Sequence, residues 1–221
     1  DNEKGGFFSK KDSLNILERH ILESLYHIYK ISREIPVSRE TKIADIGTGP
    51  GLPGFLFFCL KEYPDITLID SQRRKLALLE KYCIENFKGQ IKFIYSRAEE
   101  VQSKKFDIAV TRSSIPFPWS AEISLKLIKA NGFFIPFLGK LENVEESGKF
   151  LNKMGFQLEK NIHLKELNFL GDRHIIFLKK SLETEKGFPR SWKIIKEEMR
   201  HNGENRLDYQ PKRGRWENDH C

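Results

Sequence analysis

The chain has 221 residues, 39% of them hydrophobic, and its 38 lysines and arginines outnumber 31 acidic residues to give a net charge of +7. That is enough chain for one well-buried α/β core, while no run approaches the roughly 18 apolar residues needed to cross a bilayer. No charged-then-apolar leader opens it, and its cysteines, Cys59, Cys83 and Cys221, are odd in number and far apart, which excludes a disulfide framework and a C-x-x-C metal pair. A single unexported, cytoplasmic domain is therefore expected, with an N-terminal piece missing ahead of Asp1.

In chain order, Asp12 caps a first helix whose Leu14, Leu17, Ile21, Leu25 and Ile28 form one apolar stripe, ending before Pro36. From Lys42 short apolar runs alternate with helical stretches. The runs predict seven strands: Ile43 to Ile46, Ile66 to Ile69, Ile91 to Tyr95, Phe106 to Val110, Phe133 to Leu138, about Gln157 to Leu164, and His174 to Leu178. Helices are predicted over Pro53 to Glu62, Gln72 to Phe87 with Ser71 as its cap, Pro118 to Lys129, and near Val144 to Met154. Strand and helix alternation gives a doubly wound parallel sheet, and the short link between the last two strands makes that pair a candidate for antiparallel pairing. Pro136 has no amide for a ladder, so the fifth strand is expected to bulge or lose pairing there. The chain is read as an N-terminal helical cap (1–40), an α/β core (41–180) and an extension (181–221), packed on the domain or flexible, with one short helix over Ser191 to Arg200.

Residues 1–40 carry 7 basic and 7 acidic groups and residues 181–221 carry 9 and 8, so the positive excess belongs to the core. Such a balance fits an RNA or DNA partner and a solvated surface equally. Basic residues among Trp192, Tyr209 and Trp216 have the composition for stacking on bases, but the near-neutral charge of the tail favours packing on its own domain.

The run "DIGTGPGLPG", residues 45–54, follows an apolar strand and precedes a helix, the setting a glycine loop needs to bind a nucleoside. Asp70, 19 residues after Gly51, ends the second strand, where an acid accepts the hydroxyl protons of a ribose. A dinucleotide fingerprint would need glycine where Leu52 stands, Pro50 has no amide to offer phosphate, and no Lys-Ser/Thr pair follows. Asp45 repels pyrophosphate but suits a ligand bearing an ammonium and a sulfonium. S-adenosylmethionine is such a ligand. The fold expected is the Rossmann-like fold of class I S-adenosylmethionine-dependent methyltransferases.

The acceptor should lie beside the loop after the fourth strand, "TRSSIPFPW", residues 111–119. It lacks the Asn/Asp-Pro-Pro-aromatic box that supports attack by an exocyclic amine, and no cysteine is placed for attack through a pyrimidine carbon. An acceptor that is nucleophilic without deprotonation remains, such as guanine N7, with Arg112 free to hold O6 or a phosphate; the absence narrows the choice without deciding it.

"DIGTGPGLPG", "LIDSQRRKLALLE" (68–80), "SRAEE" (96–100), "VTRS" (110–113) and "ERHILES" (18–24) resemble the bacterial 16S rRNA guanine-N7 methyltransferase family, also called glucose-inhibited division protein B, over about residues 12–180. The resemblance implies methyl transfer from S-adenosylmethionine to N7 of a guanine in 16S rRNA of the small ribosomal subunit. It implies cofactor contacts from Asp45, Gly47, Gly49, Gly51, Leu52, Asp70, Ala98, Glu99 and Arg112. Arg112 is the expected catalytic residue, and His20, Arg112 and Lys140 the expected substrate contacts, with no metal. The chain departs from the family pattern at Leu138-Gly139-Lys140, where members commonly read Leu-Lys-Gly, and at Glu23, which replaces an aspartate. The rival readings are a non-catalytic RNA-binding or assembly factor, a methyltransferase for a small molecule or protein and, more distantly, a nicotinamide enzyme.

Overall fold

A computed structural model describes residues 15–87, 91–102, 105–112, 115–139, 144 and 147–207. The chain divides into two compact units, residues 1–189 and 190–221. The second carries one helix, Trp192–Leu207, longer than the sequence predicts.

All seven predicted strands form: β1 (Lys42–Ile46), β2 (Asp65–Ile69), β3 (Ile91–Ile94), β4 (Phe106–Arg112), β5 (Ile128–Leu138), β6 (Phe156–His163) and β7 (His174–Lys180). They make one sheet in the order β3-β2-β1-β4-β5-β7-β6. β1 to β5 run parallel, and β7 lies antiparallel between β5 and β6. The parallel strands are mostly apolar because both faces are covered: Ile43, Ile66, Leu68, Ile108 and Val110 have almost no exposure. Winding proceeds from β1 to β3 in one direction and then restarts at β4 in the other. This reversal leaves a crevice at the carboxyl ends of β1 and β4, where ligands bind in open α/β sheets. Pro136 keeps its place opposite Thr111 of β4, while the β5–β7 pairing passes from Phe134–Leu178 to Phe137–Ile175 without it.

The helices depart further from expectation. The N-terminal segment is a π-helical turn, Ile16–Leu22, running into α1 (Glu23–Glu34); Asp12 and Leu14 lie outside the described residues. The wider π winding shifts the phase of the predicted stripe, so Leu17 is 73% exposed while Ser24, His27, Ile28 and Ile31 are buried. Residues 54–59 form a 3₁₀ helix rather than the predicted α-helix. Its buried positions, Gly54 and Phe57, are three apart, the spacing that a 3₁₀ turn stacks on one side.

Next come α2 (Arg73–Phe87), as predicted within one residue, and α3 (Trp119–Ser124), half the predicted length. Ser120 to Ser124 are all buried, as are Leu125, Leu127 and Ile128. Continuous burial removes the periodicity that separates helix from strand, and Ile128 joins the sheet opposite Phe106. A short helix, α4 (Gly148–Lys153), precedes β6, and a 3₁₀ helix, Lys165–Leu170, joins β6 to β7. No helix among the described residues is long and apolar enough to cross a membrane.

Candidate active site

The glycine loop leaves β1 at Ile46 and is held from two sides. From below, the Gly47 amide donates to the Ile69 carbonyl of β2 at 2.8 Å. From within, Asp45 Oδ2 accepts the Thr48 hydroxyl at 2.5 Å and the Gly54 amide at 2.8 Å. Gly54 permits this because a Cβ there would fall 2.7 Å from Asp45 Cβ and 2.6 Å from a Leu68 methyl. Gly49 serves differently. Its φ of +54° favours glycine, and space beside it is open, with no atom within 4 Å of a would-be Cβ. The main chain there is bare toward the crevice. Gly51 and Leu52 follow, their amides both bonded to the Thr48 carbonyl.

Asp70, just beyond β2, takes the Gly49 amide on Oδ2 at 2.9 Å and the Gln72 amide on Oδ1 at 2.7 Å. It therefore supports the loop and starts α2, the capping place predicted for Ser71. Each carboxylate oxygen keeps a second lone pair for a hydroxyl donor. Beyond β3, Ala98 and Glu99 form a buried 3₁₀ turn, with Glu99 Oε1 lacking a hydrogen bond and Arg97 Nη1 at 3.7 Å. At the end of β4, Arg112 Nη1 donates to the Arg19 carbonyl at 3.0 Å. Thr111, one residue earlier, clips β4 to β1 through the Ile46 carbonyl at 2.8 Å.

Asp45, Asp70, Ala98-Glu99 and Arg112 thus sit at the carboxyl ends of four neighbouring strands. Asp45 is fully buried, and Oδ1, unlike Oδ2, has no hydrogen-bond partner. Burial is the main reason its pKa rises to about 6; Thr48, the Gly54 amide and the Arg112 charge pull it down, and Asp70 pushes it up. A buried carboxylate with one unsatisfied oxygen beside bare main chain fits a cationic ligand and not a pyrophosphate.

His20 lies on the π-helical turn next to Arg19, both ring nitrogens shielded from solvent. Lys140 lies outside the described residues. Sequence reasoning did not find Thr48 as the partner of Asp45, nor His27, Phe137 and Arg173 beside the N-terminal helix. His27 is fully buried, stacked on Phe137 with centroids 4.1 Å apart, and its Nδ1 lies 2.8 Å from the Glu23 carbonyl. Desolvation lowers its pKa to about 4, hydrogen bonds of the ring to the Glu23 and His174 backbones oppose this, and the Arg112 and Arg173 charges assist. The ring is therefore neutral. The available signal was weak: a histidine at a position sharing one helical face with Ile28 and Ile31.

The model of the GidB family, described as rRNA small subunit methyltransferase G, matches residues 1–176. The chain belongs to this family. It is 49% identical over 209 residues to the ribosomal RNA small subunit methyltransferase G of Leptospira biflexa, covering 92% of this chain and 84% of that protein. Among solved structures, it resembles a SAM-dependent methyltransferase from Aquifex aeolicus, with a TM-score of 0.57, 14% identity, and 78% of this chain and 99% of that one covered. It also resembles Burkholderia thailandensis 1,6-didemethyltoxoflavin-N1-methyltransferase, a structure with bound S-adenosylhomocysteine, with a TM-score of 0.58, 12% identity, and coverage of 78% and 84%. These structural likenesses speak for the fold. Family and fold together make the chain a Rossmann-like, S-adenosylmethionine-dependent rRNA methyltransferase.

Proposed function

We propose that the chain methylates N7 of a guanine in 16S rRNA of the small ribosomal subunit. The observation that carries this reading is the buried Asp45 with its unsatisfied Oδ1, beside a bare glycine loop and one strand away from Arg112. S-adenosylmethionine supplies, when bound, a methyl group on a sulfonium that is displaced in line.

The chain's own residues then divide into two sets. Asp45 Oδ1 is the acceptor left for the ammonium, and Asp70 keeps lone pairs for the ribose hydroxyls. Gly47, Gly49, Gly51 and Leu52 line the loop, and Ala98 with Glu99 offers a main-chain and carboxylate edge for adenine. On the acceptor side, Arg112 holds guanine O6 or a phosphate and leaves N7 free to attack. His20 and Lys140 complete the RNA contacts. Guanine N7 attacks with a lone pair and needs no base, in keeping with a site where His27, stacked on Phe137 of β5, is buried and neutral. The turn Ile16–Leu22 meets Arg112 through the Arg19 carbonyl on the acceptor side, and the RNA crosses a basic face held mainly through phosphates.

Incubation with labelled S-adenosylmethionine and small subunits lacking the modification tests the proposal, followed by digestion of the RNA to nucleosides. Label in 7-methylguanosine is the expected result, with binding that weakens steeply as salt rises. Label in another nucleoside, in protein or in neither overturns it.

A further inference from the structure

The N-terminal helix meets the sheet at three neighbouring strand ends, by a different interaction at each. At β4, Arg112 Nη1 bonds the Arg19 carbonyl. At β5, the His27 ring stacks on Phe137. At the start of β7, Arg173 Nε lies 2.6 Å from Glu23 Oε1, in a pair whose side chains are only 15% and 11% exposed. Strand register aligns these points: Arg112 faces Phe137, and Phe137 faces Ile175, two residues beyond Arg173. The helix therefore lies across one row.

The Arg173 side chain is itself tightly located. Its Nη1 donates to the Asp172 carbonyl at 2.7 Å and rests between Gly139 and Gly171, whose would-be Cβ atoms lie 3.8 and 3.7 Å from it. A Cβ on either glycine would stand in van der Waals contact with the guanidinium. A buried ion pair contributes little net stability, because desolvation offsets its attraction, but it does fix geometry.

What it fixes follows from how the helix is packed. The C-terminal part of α1 is anchored by Ile28 and Ile31, both in the core. By contrast, the turn Ile16–Leu22, which carries Arg19, buries none of its residues. Ile16, Arg19, His20 and Ile21 are only half-buried, and Glu23, the next residue along, supplies a largely buried ion pair at the end of the turn. We propose that Glu23 and Arg173 form a positioning pair that sets the Arg19 carbonyl and, through it, the guanidinium of Arg112. This inference rests on the substrate-side role of Arg112 given above. Neither Glu23 nor Arg173 touches the reacting atoms.

The test compares near-isosteric and charge-keeping variants. Glu23→Gln preserves volume and removes charge; kcat on small subunits is expected to fall at least about 10-fold, with S-adenosylmethionine affinity within about twofold of wild type. Glu23→Asp keeps the charge and is expected to retain most of kcat. A packing role predicts the reverse order and would overturn the proposal. In an Arg112→Lys background, Glu23→Gln should cost less than about twofold further, because both changes act through one guanidinium; full multiplication of the two effects overturns the proposal.

Hydrogen exchange supplies a readout independent of activity. Residues 16–22 are expected to exchange faster in both Glu23→Gln and Arg112→Lys, with α2 unchanged. Unchanged exchange in Glu23→Gln sinks the pair. Should Glu23→Gln fail to melt cooperatively, Arg173→Lys, which keeps the charge but loses the fork held between the glycines, takes its place with the same expectations. If wild-type protein does not methylate small subunits, the proposed function fails, while the exchange experiment still decides the positioning pair.

Discussion

Over β1 and β2 the pocket is built from main chain: four of its bonds run from a loop or helix-start amide or the Thr48 hydroxyl to Asp45 or Asp70, residues within one βαβ unit. Over β4, β5 and β7 it depends on side chains that find partners across long stretches of sequence, such as the Arg112 guanidinium and the Arg19 carbonyl, 93 positions apart. Main-chain geometry tolerates little variation in residue type, which is why the first half reads as a motif. The second half depends on which side chains the fold brings into one row. The same residues could not be recognised as partners before folding.

The largest expected effect falls on the main-chain half. Asp45→Ala strips the buried Gly54 amide and Thr48 hydroxyl of their acceptor, and should cost about 3 kcal/mol in chemical unfolding and weaken S-adenosylmethionine about 100-fold by calorimetry. Affinity close to wild type would show that the loop is not organised by this carboxylate. Gly54→Ala places a methyl group against Asp45 and Leu68, and should destabilise by about 2 kcal/mol, since overpacking forces the backbone to shift. A neutral result would mean that the loop can back away from β1.

The two halves also respond oppositely to pH. Asp45 has a raised folded pKa, about 6 against 3.8, so its contribution to stability is present below pH 3.8 and is lost as pH rises through 6. His27 has a lowered one, about 4 against 6.5, so its contribution is present above pH 6.5 and is lost as pH falls through 4. Each is worth on the order of 3 kcal/mol, and between pH 4 and 6 they work against each other. Unfolding of Asp45→Asn should therefore show a steeper gain of stability with rising pH than wild type, and His27→Phe a shallower one. Identical pH slopes in all three proteins would contradict the comparison. The smallest effect is expected at Lys160→Ala, which breaks an exposed ion pair with Glu34 and should change stability by no more than about 0.5 kcal/mol.

The elements differ in how far their sequence betrayed them. Ile43 to Ile46 and Ile66 to Ile69 read directly as strands because burial on both faces makes them predominantly apolar, with Asp45 and Thr67 the exceptions. α2 was legible because one of its faces is solvated and its period survives. α3 was not: with both sides buried, Ser120 to Ile128 present no period to mark where helix gives way to strand. The N-terminal stripe held at Ile28, which is buried, but missed at Leu17, since π winding rotates it to solvent, while Ser24 and His27 turn inward.

Alone, the sequence determined the strand-loop-helix setting, the acids Asp45 and Asp70, and the exclusion of phosphate by Leu52 and Pro50, because these are local properties of a short segment. The tertiary structure alone decided that Asp45 spends one oxygen on Thr48 and Gly54 and keeps the other, that Arg112 is held by the Arg19 carbonyl, and that Glu23 finds Arg173. Those outcomes depend on the order β3-β2-β1-β4-β5-β7-β6, which sets the distal parts of the chain side by side. No spacing along the chain encodes that neighbourhood.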